Sequence, residues 1–102
     1  MDVKYKKNSD KLYIYLFGEL DECVALKAKT VLDELIDQNL CVKKVVFDLS
    51  GLSFMDSTGI GMLIGRYKKL NRFNIDVYLT GANVAVEKII EISGLYSIMP
   101  RC

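Results

Sequence analysis

The sequence contains no histidine and no tryptophan, and its one proline, Pro100, stands near the C-terminus. Without histidine there is no Ser-His-Asp or Cys-His relay, no imidazole general base and no histidine metal ligand. Cysteine is sparse as well. Cys23, Cys41 and Cys102 are odd in number and far apart, so they make neither a C-x-x-C metal pair nor a disulfide framework. Reduced thiols used as small packing residues are the plain reading. No apolar run approaches the roughly 20 residues that a membrane span needs. The polar start, from Met1 to Lys11, has no signal-peptide core, so a cytoplasmic location is expected. An excess of one charge is missing too. Fourteen Lys+Arg against 13 Asp+Glu leave a net charge of +1, which gives no bulk attraction to nucleic acid or membrane.

What is present suffices for a core: 102 residues, 51% of them hydrophobic, or one domain spanning 1–102. Lys4 to Asn8 is a short strand, and Asn8, Ser9 and Asp10 form a turn. Leu12 to Phe17 is a stronger strand that alternates Leu12, Ile14 and Leu16 with Tyr13, Tyr15 and Phe17. The aliphatic set should enter the core and the aromatic set should lie half in water. Glu22 to Gln38 reads as a helix, with Val24, Ala28, Val31, Leu32, Leu35 and Ile36 as its apolar stripe. Val45, Val46 and Phe47 suit a buried parallel strand, closed by the turn residues Asp48, Ser50 and Gly51. A second helix runs to about Asn71, with Ile60, Leu63, Ile64 and Tyr67 at helical spacing. Asp76 to Thr80 is a strand, and Gly81 to Asn83 is a turn and cap. Val84 to Ser93 is a helix with Val86, Ile89, Ile90 and Ile92 available for burial, stopped by Gly94. Leu95 to Met99 adds a last short strand. The order β-β-α-β-α-β-α-β predicts an α/β fold: a mostly parallel, mixed sheet of four to five strands with right-handed crossovers.

Three features carry chemistry. The first is Gly59, Gly61 and Gly65 after a strand, which invites a dinucleotide reading. That fingerprint wants glycine where Met62 stands, and no phosphate-loop lysine is present. Glycines that let the helix lie close to the sheet are the better account, since each costs roughly 1 kcal/mol in a helix relative to alanine. The second is Asp48 at a strand end, where a response-regulator receiver accepts phosphate. Such a receiver also needs an acidic pair after its first strand, which Glu19 and Asp21 imitate poorly, so Asp48 reads as a strand-end cap. The third is Asp56-Ser57-Thr58-Gly59 before an apolar helical stripe. By pattern alone this is first a helix cap, its oxygens accepting orphan first-turn amides. It also presents a hydroxyl at the positive end of a helix dipole, where a phosphate can be held.

The whole stretch from Asp48 to Lys69, DLSGLSFMDSTGIGMLIGRYKK, resembles the signature of the anti-sigma factor antagonists of the STAS domain family. GELD at Gly18 to Asp21 and ISGL at Ile92 to Leu95 resemble two further motifs of that family at the expected separations, and the similarity spans essentially the whole chain. With GRYK after the FMDSTGIG core, the sequence is most similar to the sporulation branch, which frees the forespore sigma factor. The resemblance implies a protein that is not an enzyme and carries no cofactor and no metal. It implies an unphosphorylated form that binds an anti-sigma factor, itself an ATP-dependent serine kinase, and so liberates the sigma factor. That kinase would phosphorylate Ser57, and a PP2C-type serine phosphatase would reset it. Asp21, Asp56, Ser57, Thr58 and Gly59 would form the partner surface of a monomer. Thr58 is the competing acceptor, disfavoured by the family pattern and by the poorer exposure expected one residue further in. Relatives usually carry a further C-terminal helix where this sequence stops at Pro100, Arg101 and Cys102. The alternative is a STAS-type interaction or ligand-binding module unconnected with a sigma factor.

Overall fold

The computed structural model describes all 102 residues. A hairpin opens the chain: β1 (Asp2–Asn8) and β2 (Lys11–Leu20) are antiparallel and joined through Ser9, which takes φ 60°. Then follow α1 (Ala25–Asp37), β3 (Lys44–Met55), α2 (Ser57–Asn71), β4 (Asp76–Thr80) and α3 (Val84–Ser93). β2, β3 and β4 are parallel neighbours, so the four-stranded mixed sheet has the order β1-β2-β3-β4. Each step from β2 onward needs a helical crossover, because parallel strands cannot be joined by a tight turn.

Period-two alternation assigns the two faces. Leu12, Ile14 and Leu16 of β2, Val45, Phe47 and Leu49 of β3, and Val77 and Leu79 of β4 are all at most 4% exposed. They share one apolar cluster with Leu32 and Ile36 of α1, Leu63 and Leu70 of α2, and Val86 and Ile90 of α3. All three helices therefore cover one side of the sheet. The opposite side is left to residues such as Tyr13, Tyr15 and Tyr78, which are half-buried, and Phe17, which is exposed. The expected aliphatic-in, tyrosine-out register of β2 is what the fold adopts.

The second half of β3 departs from expectation. Asp48, Ser50 and Gly51 do not close the strand, which runs on to Met55. Asp48 turns its carboxylate back on its own strand, where Oδ1 accepts from the Ser50 amide at 2.9 Å and from the Ser50 hydroxyl at 2.6 Å. The local bond makes an irregularity in the β2–β3 register rather than a turn. Phe17 then lies over Gly51, where any side chain would collide with its ring, and pairing resumes.

Three smaller expectations are corrected. α1 begins at Ala25, because Glu22 to Val24 are held in a turn by Asp21. Leu95 to Met99 is not a strand. Gly94 takes φ 73° and Leu95–Ser97 form a 3-10 turn, which buries Leu95 and Met99 four residues apart. A strand-like contact does form just beyond: the Leu79 amide donates to the Pro100 carbonyl at 3.0 Å and the Cys102 amide to the Leu79 carbonyl at 3.1 Å. Val31 and Ile92, expected in buried stripes, face outward.

Candidate functional site

The C-terminal ends of the parallel strands converge on one edge of the molecule, where open α/β sheets place their ligand sites. β2 delivers Leu20 and Asp21 there, and β3 delivers Met55 and Asp56. α2 begins at Ser57 with Asp56 as its N-cap, in extended backbone. One Asp56 oxygen, Oδ1, accepts from the Gly59 amide at 3.0 Å. The other, Oδ2, accepts from the Glu22 amide at 3.3 Å. A single carboxylate thus caps α2 and ties it to the turn before α1. The Asp56 amide donates in turn to the Leu20 carbonyl at 3.3 Å.

Asp21 repeats the device one strand over, its Oδ1 accepting from the Cys23 amide at 3.0 Å and the Val24 amide at 3.3 Å. Both aspartates named from the sequence are therefore engaged inside the chain and hold two adjacent turns together. Gly59 is buried, and a Cβ there would lie 2.7 Å from the Leu20 carbonyl oxygen and from Met55 Cγ. Its lack of a side chain lets α2 start this close to β2. Gly61 and Gly65 do not play the packing role expected of them: a Cβ on either meets nothing within 4 Å.

Ser57 and Thr58 are both exposed. Both precede the point where α2 turns its stripe into the core at Ile60. Two first-turn amides are taken, that of Gly59 by the Asp56 carboxylate and that of Ile60 by the Asp56 carbonyl at 3.1 Å. The first two amides of the helix, those of Ser57 and Thr58, remain to face an anion beside the serine hydroxyl. Asp48 lies inside β3 rather than at its end, so it is not the strand-end cap expected, and its Oδ1 is committed to Ser50.

Sequence reasoning placed a turn and cap at Gly81 to Asn83, but not the tie that holds this part of the edge together. Asn83 caps α3, its Oδ1 accepting from the Val86 amide at 2.9 Å, and its Nδ2 donates to the Leu52 carbonyl at 3.0 Å. The start of α3 is thereby fixed to the end of β3. Three exposed apolar side chains rim these turns: Leu26 at 77%, Phe54 at 47% and Val84 at 76%. The available signal was that Leu26 and Val84 fall outside the helical stripes, so neither had a place in the core.

This arrangement of turns on a four-stranded mixed sheet, with helices on one side, has known counterparts. Residues 2–102 match the STAS domain, and the chain belongs to that family. It is 32% identical over 100 residues to the anti-sigma F factor antagonist of Paenibacillus polymyxa, covering 98% of this chain and 85% of the relative. The anti-sigma-B factor antagonist of Listeria monocytogenes is 31% identical over 94 residues, covering 92% and 81%. Among solved structures, the Bacillus cell fate determinant SpoIIAA in its phosphorylated form superposes with a TM-score of 0.71 at 26% identity, covering 99% of this chain and 91% of that one.

Proposed function

We propose that this chain is an anti-sigma factor antagonist switched by phosphorylation of Ser57. The unphosphorylated form binds an anti-sigma factor that is also an ATP-dependent serine kinase, and so releases a sigma factor. The kinase modifies Ser57, the complex weakens, and a PP2C-type phosphatase restores the binding form. The chain acts in the cytoplasm as one domain and catalyses nothing itself. The reading is supported by the names of the relatives, two of them anti-sigma factor antagonists, and by a related fold known in a phosphorylated form.

One observation carries it. Ser57 is exposed at the first residue of α2 while the neighbouring Asp56 is locked as the cap by two backbone amides. A kinase can engage the hydroxyl without unfolding any core element. A phosphate adds about −1.5 to −2 charges and three acceptor oxygens. On the free protein, water and first-turn amides solvate it. Against a docked partner it must be desolvated next to Asp56, at a cost of a few kcal/mol, which suffices to switch a complex.

The test is incubation with a purified anti-sigma factor kinase and ATP, followed by mass mapping. Phosphate is expected on Ser57, with Ser57→Ala unlabelled and Thr58→Ala still labelled. Full labelling of Ser57→Ala would reject the site. Failure of the unmodified chain to bind any anti-sigma factor would favour a STAS-type module outside sigma control.

A further inference from the structure

α2 carries two glycines whose missing side chains serve nothing inside the protein. Gly61 and Gly65 each cost about 1 kcal/mol in a helix relative to alanine, yet a Cβ on either meets no atom within 4 Å. They stand one turn apart on the flank of α2 that faces α1. There, two adjoining depressions of about 410 and 570 Å3 share Lys29 and Arg66. Gly61 lines the first and Gly65 the second.

The lining changes along this groove. Near Ser57 it is mixed, with Ala25, Leu26 and Met62 beside the single acid Glu22. Farther along it is basic: Lys29, Arg66, Lys68, Lys69 and Arg72 outnumber Asp33 and Asp37. Those two acids are already used, since Lys69 lies 2.7 Å from Asp37 and 3.6 Å from Asp33, and Arg66 Nε lies 2.9 Å from Asp33 Oδ1. Arg66 is the telling residue. It is only 7% exposed, and its buried Nε is ion-paired with Asp33 Oδ1 rather than hydrogen-bonded to it. A guanidinium has five N–H donors and no acceptor. Asp33 is its one acidic neighbour within 4 Å, while Arg66 lines both depressions. With Nε turned to Asp33, the two terminal nitrogens, which make no hydrogen bond within the chain, are the donors open to a further acceptor.

We propose that the α1–α2 groove docks an acidic amphipathic helix of the same partner that engages Ser57. This rests on the function proposed above, the partner being the anti-sigma factor. Gly61 lies one helical turn beyond Ser57, so the two surfaces are continuous. The glycine flank admits a helix backbone at close range. An apolar side chain of that helix covers Leu26 and Met62, and a carboxylate pairs with the terminal nitrogens of Arg66, flanked by Lys29 and Arg72. The charge of the groove selects this occupant over a basic or wholly apolar one.

The experiment measures calorimetric binding of the unphosphorylated full chain to the purified anti-sigma factor, with Gly65→Leu, Lys29→Glu and Ser57→Asp in parallel, and records the melting temperature of each. Gly65→Leu fills the groove with a better helix former, and Lys29→Glu reverses an exposed charge. Each should weaken binding about tenfold, as loss of a real contact does, with the melting temperature not lowered. Lys29→Glu should also flatten the salt dependence. Unaltered binding by both groove variants while Ser57→Asp binds poorly would overturn the groove and leave the phosphorylation switch standing. No binding by the unmodified chain would remove both. Self-association of the chain that Gly65→Leu abolishes would assign the groove to a second copy and overturn the proposal.

Discussion

Two helix starts lie side by side on the same edge of the sheet and are built alike. Asp56 caps α2 through the Gly59 amide at 3.0 Å, and Asn83 caps α3 through the Val86 amide at 2.9 Å. Each capping side chain makes a second bond to a neighbouring segment, Asp56 with the Glu22 amide and Asn83 with the Leu52 carbonyl. They differ in what comes next. α2 opens with two exposed hydroxyls, Ser57 and Thr58, and α3 opens with Val84 and Ala85. Capping geometry is therefore common property of the fold, and a modifiable group is added at one helix only. A cap by itself is not a site. Under the function proposed here it becomes one where the residue after it is a hydroxyl that the cap does not consume.

The comparison is broken most severely at the third position after each cap. Gly59 and Val86 are both buried there, but Gly59 has the Leu20 carbonyl 2.7 Å from where its Cβ would stand. Gly59→Val should cost about 1–3 kcal/mol or more, as overpacking against backbone does. Ile90→Ala, which hollows the core under α3, should cost about 2–5 kcal/mol. Urea unfolding measures both. A Gly59→Val protein as stable as its parent would mean that α2 can begin farther from β2.

The caps come next. Asp56→Ala and Asn83→Ala should each lose about 0.5–2 kcal/mol, with Asp56→Ala also loosening the turn before α1. Amide hydrogen exchange at Glu22 and Cys23 separates the two: it should speed up in Asp56→Ala and stay unaltered in Asn83→Ala. Equal protection in both variants would deny the cross-link through Asp56 Oδ2.

A smaller effect is expected at the position that distinguishes the helices. Ser57→Asp places a negative charge at the positive end of α2, and Val84→Asp does the same at α3. Both sites are exposed, so stability should move by about 0.5 kcal/mol or less. Backbone chemical shifts of the Ser57-phosphorylated chain should change only around Asp21 to Val24 and Asp56 to Gly61. Changes spreading through β2 or α3 would replace a local electrostatic switch with a conformational one.

Much of this was legible in the sequence, and the reasons are local. Asp56 before the Ile60 and Leu63 stripe announced a capped helix, Gly94 the C-terminal stop of α3, and the alternation from Leu12 to Phe17 a one-sided strand. Each is decided by neighbours a few residues away. What was misread depends on partners far along the chain. Asp48, Ser50 and Gly51 have turn chemistry, yet β2 overrides it, with the Phe17 ring seated where Gly51 has no side chain. Leu95 and Met99 look like strand residues but are buried as one face of a turn. At the candidate site, the Asp56 cap was legible by pattern, and Ser57 is proposed from the resemblance. The bonds from Asp56 to Glu22 and from Asn83 to Leu52 were not legible, because they join segments 34 and 31 residues apart.

The smallest effect concerns acid, and it belongs to α3. Glu87 stands in the first turn of that helix and accepts from the Tyr96 hydroxyl at 2.7 Å, with Arg101 also paired to it. The tyrosine hydrogen bond first, and the arginine with it, hold the Glu87 carboxyl below its ordinary value of 4.5 against a partial desolvation. Burial, and then the bond to Glu87, push the Tyr96 hydroxyl above its ordinary value of 10.0. The signs follow by linkage. A depressed carboxyl contributes stability that is present above its unfolded value and is lost as pH falls through the lower folded value. A raised phenol contributes stability that is present below its unfolded value and is lost as pH rises through the higher folded one. Tyr96→Phe removes the first cause on the acid side and the whole of the alkaline one. The stability difference between the parent chain and Tyr96→Phe should therefore be constant near neutrality. It should shrink as pH falls below about 4.5 and shrink again as pH rises past about 10. Urea midpoints of the two proteins across that range measure it, and a difference that stays flat through the acid limb would show that Tyr96 does not set the Glu87 carboxyl.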